Sequence, residues 1–263
     1  MRLFLGALLM AAALLPSAGS AKAGPWPAGK TCAVSLTYDD GLESQILNAA
    51  LDLDQRGMKG TFFIVGGAQS VSQNPQAWAA LVKHGHELAA HTMTHPCGGS
   101  AGAFKAPQDR LEAYDLKRMA TELDQNIQVL HALGAPAPYT FAYPCGQDWV
   151  GEDHTSYRPL VEQRFFAARG VQNHAVDTQA VDLLNTSAYN PAGLSVAMLK
   201  AVVDDVRSDG GWLIFMFHGV GGDYLVTDDD AHQALLDYLQ AHPEIWVAPF
   251  GTVAKAVKRA QGG

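Results

Sequence analysis

The chain has 263 residues, of which 48% are hydrophobic and 17% charged, with a formal net charge of −8. That length suits one large domain, and that apolar share is enough for a sizeable core. The acidic balance argues against a nucleic-acid-binding surface, which needs clustered Lys and Arg, so no nucleic-acid partner is expected.

The first segment reads as an export signal rather than as part of a fold. Arg2 supplies a short positive region, Leu3 to Leu15 form an apolar run that ends at Pro16, and Ala21-Lys22-Ala23 gives the small-any-small pattern that signal peptidase reads. Residues 1–23 are therefore expected to be cleaved, leaving 24–263 as the mature domain in the periplasm or secreted. Cleavage leaves 16 basic against 26 acidic residues, a charge of −10. The apolar run is too short for a comfortable bilayer span, so no membrane span is expected in the mature protein. An uncleaved N-terminal anchor is the alternative reading.

Beyond residue 24, short β-rich runs alternate with helical patterns. Ala33 to Tyr38 predicts a buried strand, followed by a helix over Glu43 to Arg56 with Ile46, Leu47, Ala50 and Leu51 on its apolar face. Thr61 to Val65 is the next strand. Asn74-Pro75 starts a helix that Gly85 closes. A strand at Glu87 to His91 leads through a Gly/Ala/Pro-rich loop to a long helix, about Asp109 to Leu133. Strands follow at Tyr139 to Tyr143 and at Phe165 to Arg169. The segment from Val171 to Pro191 is ambiguous, with one short strand expected near Val181 to Leu184. A helix at Leu194 to Arg207, a strongly buried strand at Trp212 to Phe217, a helix at Ala231 to Gln240, a strand at Ile245 to Ala248 and a helix at Thr252 to Arg259 complete the chain. Roughly seven or eight β-then-α units in one domain imply a parallel sheet, and at this length an irregular, TIM-barrel-like (β/α) barrel. No glycine fingerprint for dinucleotide phosphates follows the first strand.

On that map the chemically versatile residues fall together. Asp39 and Asp40 end the first strand, His91 ends the third with His95 four residues on, Pro144-Cys145-Gly146 follows the fourth, Arg169 ends the fifth, and His218 follows the strand ending at Phe217. Strand C-terminal ends form the face where (β/α) barrels build active sites. The i, i+4 spacing of His91 and His95 would bring both rings to one side of a helical turn. Alone, the His pair could be chance histidines and Asp39-Asp40-Gly41 a strand-ending turn. Together, two His and the carboxylate of Asp40 suit one divalent metal ion. Zinc fits best, with cobalt, nickel and manganese as alternatives.

These residues resemble the polysaccharide deacetylases, also called carbohydrate esterase family four. Thr37-Tyr38-Asp39-Asp40-Gly41 is similar to the family's first motif, and His91-Thr92-Met93-Thr94-His95-Pro96 to its second. Phe141 to Gly146 is similar to its third, and Phe215-Met216-Phe217-His218 to its fifth. The resemblance runs roughly from Cys32 to Lys258 and implies Asp39 as catalytic base, His218 as catalytic acid, and Asp40, His91 and His95 as metal ligands. It also implies an oxyanion site and groove wall at Tyr143, Pro144 and Cys145. The chain departs from the pattern at three places. The third motif's usual Arg, which tethers the base, is Ala142, and Arg169 is the candidate substitute. The motif's aromatic is Cys145, which keeps a backbone N–H. The fourth motif's Asp, which supports the catalytic His, has no clean match, and Asp177 and Asp182 are both candidates.

The mechanism so implied uses metal-activated water, with Asp39 taking its proton and His218 protonating the leaving amine or alcohol. The substrate partner is then an acetylated glycan, losing N- or O-linked acetyl groups. A non-glycan amide or cyclic imide on the same scaffold is the alternative, and a glycan-binding protein without activity is a second. Three cysteines, Cys32, Cys97 and Cys145, remain after export. Cys97 and Cys145 both fall at the rim of the active face, where a disulfide would brace the groove, and a reduced pair is the alternative. Asp148, Trp149, Phe104 and Tyr224 lie in loops of that face and could meet sugar rings, whereas Trp78, Trp212 and Trp246 read as core. Oligomeric state is not legible.

Overall fold

The computed structural model describes residues 24–262, so the expected signal segment, residues 1–23, lies outside the described residues. Strand β1 (Cys32–Asp39) is buried at every position and sets the parity of the domain. Its residues alternate between two faces, as a pleated strand dictates. Val34, Leu36 and Tyr38 join the large cluster beneath the helices, whereas Ala33 joins a smaller inner cluster with Phe63, Ala89, Ala142, Ile214 and Met216. The inner set mixes small with large side chains, as filling the taper of a narrow barrel requires.

The remaining strands are β2 (Thr61–Ile64), β3 (Glu87–Ala90), β4 (Phe141–Ala142), β5 (Trp149–Val150), β6 (Thr155–Ser156), β7 (Ala168–Arg169), β8 (Trp212–Phe217) and β9 (Ile245–Val247). The main sheet runs β7–β4–β3–β2–β1–β8, with β9 paired to the first half of β1. Every pairing in it is parallel. β5 and β6 form a separate antiparallel ribbon.

The gap between β7 and β8 is bridged by residues 186–189. Thr186 pairs with Arg169, and Tyr189 with Phe215, both in parallel. Their hydrogen bonds are sound, with the Gly170 N–H donating to Thr186 O at 2.7 Å and the Met216 N–H to Tyr189 O at 2.8 Å. The result is an irregular (β/α) barrel in which this stretch serves as the seventh stave, as the alternation of elements implied. The short strand expected at Val181 to Leu184 does not form. Asp182 accepts the Leu184 N–H, Asn173 the Asn190 N–H and Asn190 the Ala192 N–H, so local side chains take backbone donors that a ladder would use.

The coat consists of α1 (Ala50–Gln55), α2 (Gln69–Gln73), α3 (Pro75–Lys83), α4 (Leu116–Ala132), α5 (Arg158–Glu162), α6 (Val196–Asp209), α7 (Asp229–Gln240) and α8 (Phe250–Ala260). Two helices differ from expectation. α4 begins at Leu116, capped by Asp115, which accepts the Arg118 N–H; the residues from Asp109 onward are irregular turns. Before α1, Gln45–Ala49 form a π-helical turn, which shifts the helical register. Gln45, Ala49, Ala50, Asp52 and Leu53 therefore face inward, and Leu47 and Leu51 of the expected apolar face are exposed.

At the strand N-terminal end the barrel is closed by α8, whose Phe250, Val253 and Val257 join Trp212 in the inner cluster. Trp78 and Trp212 are fully buried, while Trp246 is only half-buried. Tyr38, an aromatic with a hydroxyl in the outer core, meets His232 at 2.8 Å, and His232 meets Asp52 at 2.8 Å. That chain satisfies all three polar groups directly beside Asp39. Among the described residues, no helix is long and apolar enough to cross a membrane.

Candidate active site

Because the staves are parallel, their C-terminal ends converge on one mouth. A cleft of about 820 Å³ opens there, lined by Asp39, Asp40, His91, His95, Tyr143, Cys145 and His218. The residues singled out at these strand ends thus line one cleft.

Asp39 is the last inward residue of β1 and is 3% exposed. Arg169, at the end of β7 and equally buried, reaches across the barrel. Its terminal nitrogen bonds both Asp39 oxygens, and its guanidinium stacks 4.9 Å from the centre of the Phe63 ring. A buried charge at this depth needs such a partner. Arg169 thus stands where the Arg missing from position 142 would act. Gln45 fixes the adjoining backbone, donating to Asp39 O and to His218 O, the latter at 3.1 Å.

Asp40 follows with φ 81°, a left-handed conformation that turns its side chain out of the strand. Asp40 Oδ1 lies 3.4 Å from His91 Nε2 and 3.4 Å from His95 Nε2. It is buried and has no hydrogen-bond partner among the described residues. Burial alone would raise the Asp40 carboxyl, but the imidazoles of His91, His95 and His218 hold it below the usual carboxylate range. Asp40, His91 and His95 form a group whose ligand atoms lie within 4.8 Å of one another. His91 Nδ1 faces Ala142 O at 2.8 Å, which makes that nitrogen the donor and leaves the Nε2 lone pair toward Asp40. Burial lowers His91, yet Asp40 and Asp39 raise it overall, whereas burial and the charge of His91 push His95 down to about 4. An orphaned carboxylate oxygen between two imidazole nitrogens is a donor set that a divalent cation fits.

The two histidines do not sit on a helical turn. Thr92 and His95 take φ of 62° and 53°, and the loop is irregular, although the rings meet with centroids 4.7 Å apart. Two α4 side chains hold that loop. Asn126 accepts the His91 N–H at 2.9 Å, and Glu122 accepts the Met93 and Thr94 N–H groups at 3.0 and 2.9 Å. Sequence reading passed over both. Their signal was present, because Glu122 and Asn126 occupy core-facing positions between Met119, Leu123 and Leu130 of the same helix.

His218 follows β8 with its Nε2 3.9 Å from Asp40 Oδ2. Its Nδ1 is buried and has no partner among the described residues. Neither candidate support reaches it. Asp177 accepts the Gln179 N–H in its own loop, and Asp182 pairs with Arg158 at 2.5 Å on the outer surface. Loop acids in an Asp-rich segment find local donors more readily than a distant imidazole.

Cys97 and Cys145 are joined by a disulfide, with Cα atoms 6.0 Å apart, and Cys32 is a buried free thiol. The bridge ties the histidine loop to the turn Pro144–Gly146, where Cys145 has φ 54°. Tyr143 and Cys145 line the cleft, while Pro144 is buried behind them. The N–H groups of Tyr143 and Gly146 are used, by Arg169 O and Tyr143 O. Phe104 and Tyr224 line the cleft, the former 74% exposed. Trp149 instead stacks on His154 at 3.8 Å, and the Asp148 side chain faces Ser156, so neither is part of the wall.

This mouth gathers carboxylates and histidines at the strand ends of a parallel barrel. The chain matches the polysaccharide deacetylase family model over residues 28–157. It is similar to a chitooligosaccharide deacetylase of Sinorhizobium fredii, 38% identical over 88 residues, which is 33% of this chain and 40% of that protein. A gellan lyase of Bacillus sp. is 24% identical over 264 residues, 90% of this chain but 10% of that protein. The chain thus spans less than half the length of either relative. In fold it is similar to a family 4 carbohydrate esterase from Streptomyces lividans in complex with acetate, with a TM-score of 0.54 and 21% identity over 82% of this chain and 91% of that one.

Proposed function

We propose that the protein is an exported, metal-dependent deacetylase that removes N- or O-linked acetyl groups from a glycan. The observation that carries the reading is Asp40 Oδ1, buried without a hydrogen-bond partner and 3.4 Å from both imidazole Nε2 atoms. Asp40, His91 and His95 would hold the metal, zinc in preference to cobalt, nickel or manganese. When bound, a divalent metal supplies Lewis-acid polarisation of the acetyl carbonyl and acidifies water.

The chain's own residues do the rest. Asp39, held across the barrel by Arg169, accepts a proton from the attacking water at its carboxylate. Cys145 lines the cleft, and its N–H would donate to the acetyl oxygen as charge develops on it. His218 gives a proton to the departing nitrogen or oxygen, so that the carbon–nitrogen or carbon–oxygen bond breaks to leave acetate and a neutral amine or alcohol. The disulfide fits an oxidising compartment, which supports export.

A second reading, hydrolysis of a non-glycan amide or cyclic imide, is favoured by the apolar walls of the cleft, which include Leu42, Val65, Val171, Met216 and Leu225. Acetate release from acetylated chitooligosaccharides, peptidoglycan, xylan and simple esters, set beside ring opening of cyclic imides, separates the two. Release that a chelator abolishes and added zinc restores is the expected result. Release that survives removal of the metal overturns the metal-dependent reading.

A further inference from the structure

The loop that follows His218 carries backbone conformations that cost free energy. Asp223 and Leu225, on either side of Tyr224, have φ of 63° and 45°. Non-glycine residues rarely occupy that region, and each such residue costs on the order of 1 kcal/mol and persists only where its surroundings enforce it. Here they do. The Gly219 N–H donates to Tyr224 O at 3.0 Å, the Thr227 N–H to Gly219 O at 2.9 Å, and the Gly221 N–H to Thr227 O at 3.0 Å. The loop is also pinned from outside, with the Ser44 N–H donating to Asp223 Oδ2 at 2.9 Å and the Val220 N–H to Ser44 Oγ at 3.2 Å. At Gly219 a Cβ would lie 1.9 Å from Gly222 O, so the crossing admits no side chain.

The product of this strain is one contact. The Tyr224 hydroxyl donates to Asp40 Oδ2 at 2.6 Å. The two oxygens of Asp40 are thereby made unequal, with Oδ2 taken by the tyrosine and Oδ1 left facing His91 and His95. A carboxylate free to rotate could offer either oxygen, or both. One whose second oxygen is held by a neutral donor offers a single oxygen in a fixed direction. A phenol hydroxyl beside a carboxylate oxygen is the donor of the pair.

We propose that Tyr224 is a positioning residue, whose hydroxyl orients Asp40 so that Oδ1 alone is presented to the metal. Its ring lines the cleft, but its polar end is committed to Asp40 and is not available to a sugar hydroxyl. The inference rests on the metal-dependent reading above.

The test uses the full chain with zinc and cobalt as probes. Zinc affinity is measured by competition with a chromophoric chelator, and the visible absorption of bound cobalt reports the geometry of its ligands. Tyr224→Phe should bind zinc about 10- to 100-fold more weakly than the native chain, in the range found when an outer-shell partner of a metal ligand is removed. Its cobalt spectrum should change in intensity and position. Tyr224→Ala should weaken zinc to the same degree, because the hydroxyl and not the ring is the acting group. Two results overturn the proposal while leaving the metal site intact. One is native affinity and spectrum in Tyr224→Phe; the other is a loss confined to Tyr224→Ala, which would assign the effect to packing. If the native chain binds zinc no better than Asp40→Ala, the metal reading and this proposal fall together.

Discussion

The two ends of the barrel interior both carry carboxylates, half-buried at one end and buried at the other, and they treat them in opposite ways. At the strand N-terminal end, Glu87 accepts the hydroxyls of Thr61 and Thr140, each at 2.7 Å, and the Gly251 N–H at 2.8 Å. Every lone-pair direction that matters has a neutral donor, and no cation is called for. At the other end, Asp39 is met by a buried guanidinium and Asp40 keeps an oxygen with no partner. A satisfied carboxylate ties strands together. An unsatisfied one beside two imidazoles costs stability unless something else binds there. The acid at the closed end and the acids at the mouth therefore differ in their donors as well as in their depth.

The largest test of that contrast is Asp39→Asn. The amide keeps the shape but cannot take a proton, so kcat should fall by about 10³-fold while zinc binding persists. Arg169 loses its buried counter-charge, and unfolding should cost about 3 kcal/mol less. Steady-state rates per folded molecule and urea titrations read the two effects separately. Substantial activity in this variant removes Asp39 from the role of base.

The closed end should respond to acid. His86, just before Glu87, accepts the Gly60 N–H on Nδ1 at 3.1 Å and has Nε2 3.2 Å from Asp54. Burial pushes it down to about 4, against an ordinary value of 6.5. Below pH 6.5 the unfolded chain takes a proton that the native chain refuses, so this contribution is full above 6.5 and shrinks as pH falls toward 4. The loss amounts to about 3 kcal/mol over that interval. Unfolding midpoints followed from pH 7 to 4 should therefore drop more steeply for the native chain than for His86→Gln. Parallel curves would mean that His86 is protonated in the fold.

Glu87→Gln brings the smaller effect at the same end. Its amide nitrogen would face hydroxyl and N–H donors, and stability should fall by about 2 kcal/mol with kcat per folded molecule unchanged. A fall in kcat matching the fall in stability would mean that the two ends are coupled and that the contrast is not local.

How far the sequence foretold this arrangement depends on what kind of signal each part left. The barrel was legible because strand and helix periods alternate along the chain, and the mouth was legible because Asp39, Asp40, His91, Arg169 and His218 all close strands. What failed lay where a single residue shifts the phase or where contacts are long-range. The π-helical turn at Gln45–Ala49 moved Leu47 and Leu51 to the surface, and no residue type announces such a turn. The stave at 186–189 has no apolar alternation of its own, because its partners on both sides supply the pairing. Tyr224 read as a residue that could stack on or hydrogen-bond a sugar, since the hydrogen bond that commits its hydroxyl spans 184 positions.

The smallest predicted effect concerns an acid at neither end. Asp182 was a candidate support for His218, but it pairs with Arg158 at 2.5 Å on the outer surface, with both side chains well exposed. Solvent screens such pairs, and they are commonly worth no more than about 0.5 kcal/mol. Asp182→Asn should therefore leave thermal stability nearly unchanged. It should also leave kcat and its pH profile unchanged, because nothing connects this carboxylate to the buried Nδ1 of His218. A displaced acid limb in the pH profile of Asp182→Asn would show that the segment around it moves to the mouth during turnover. His218 would then gain during turnover the carboxylate that it lacks at rest, and the contrast between the acids of this fold would have to include motion.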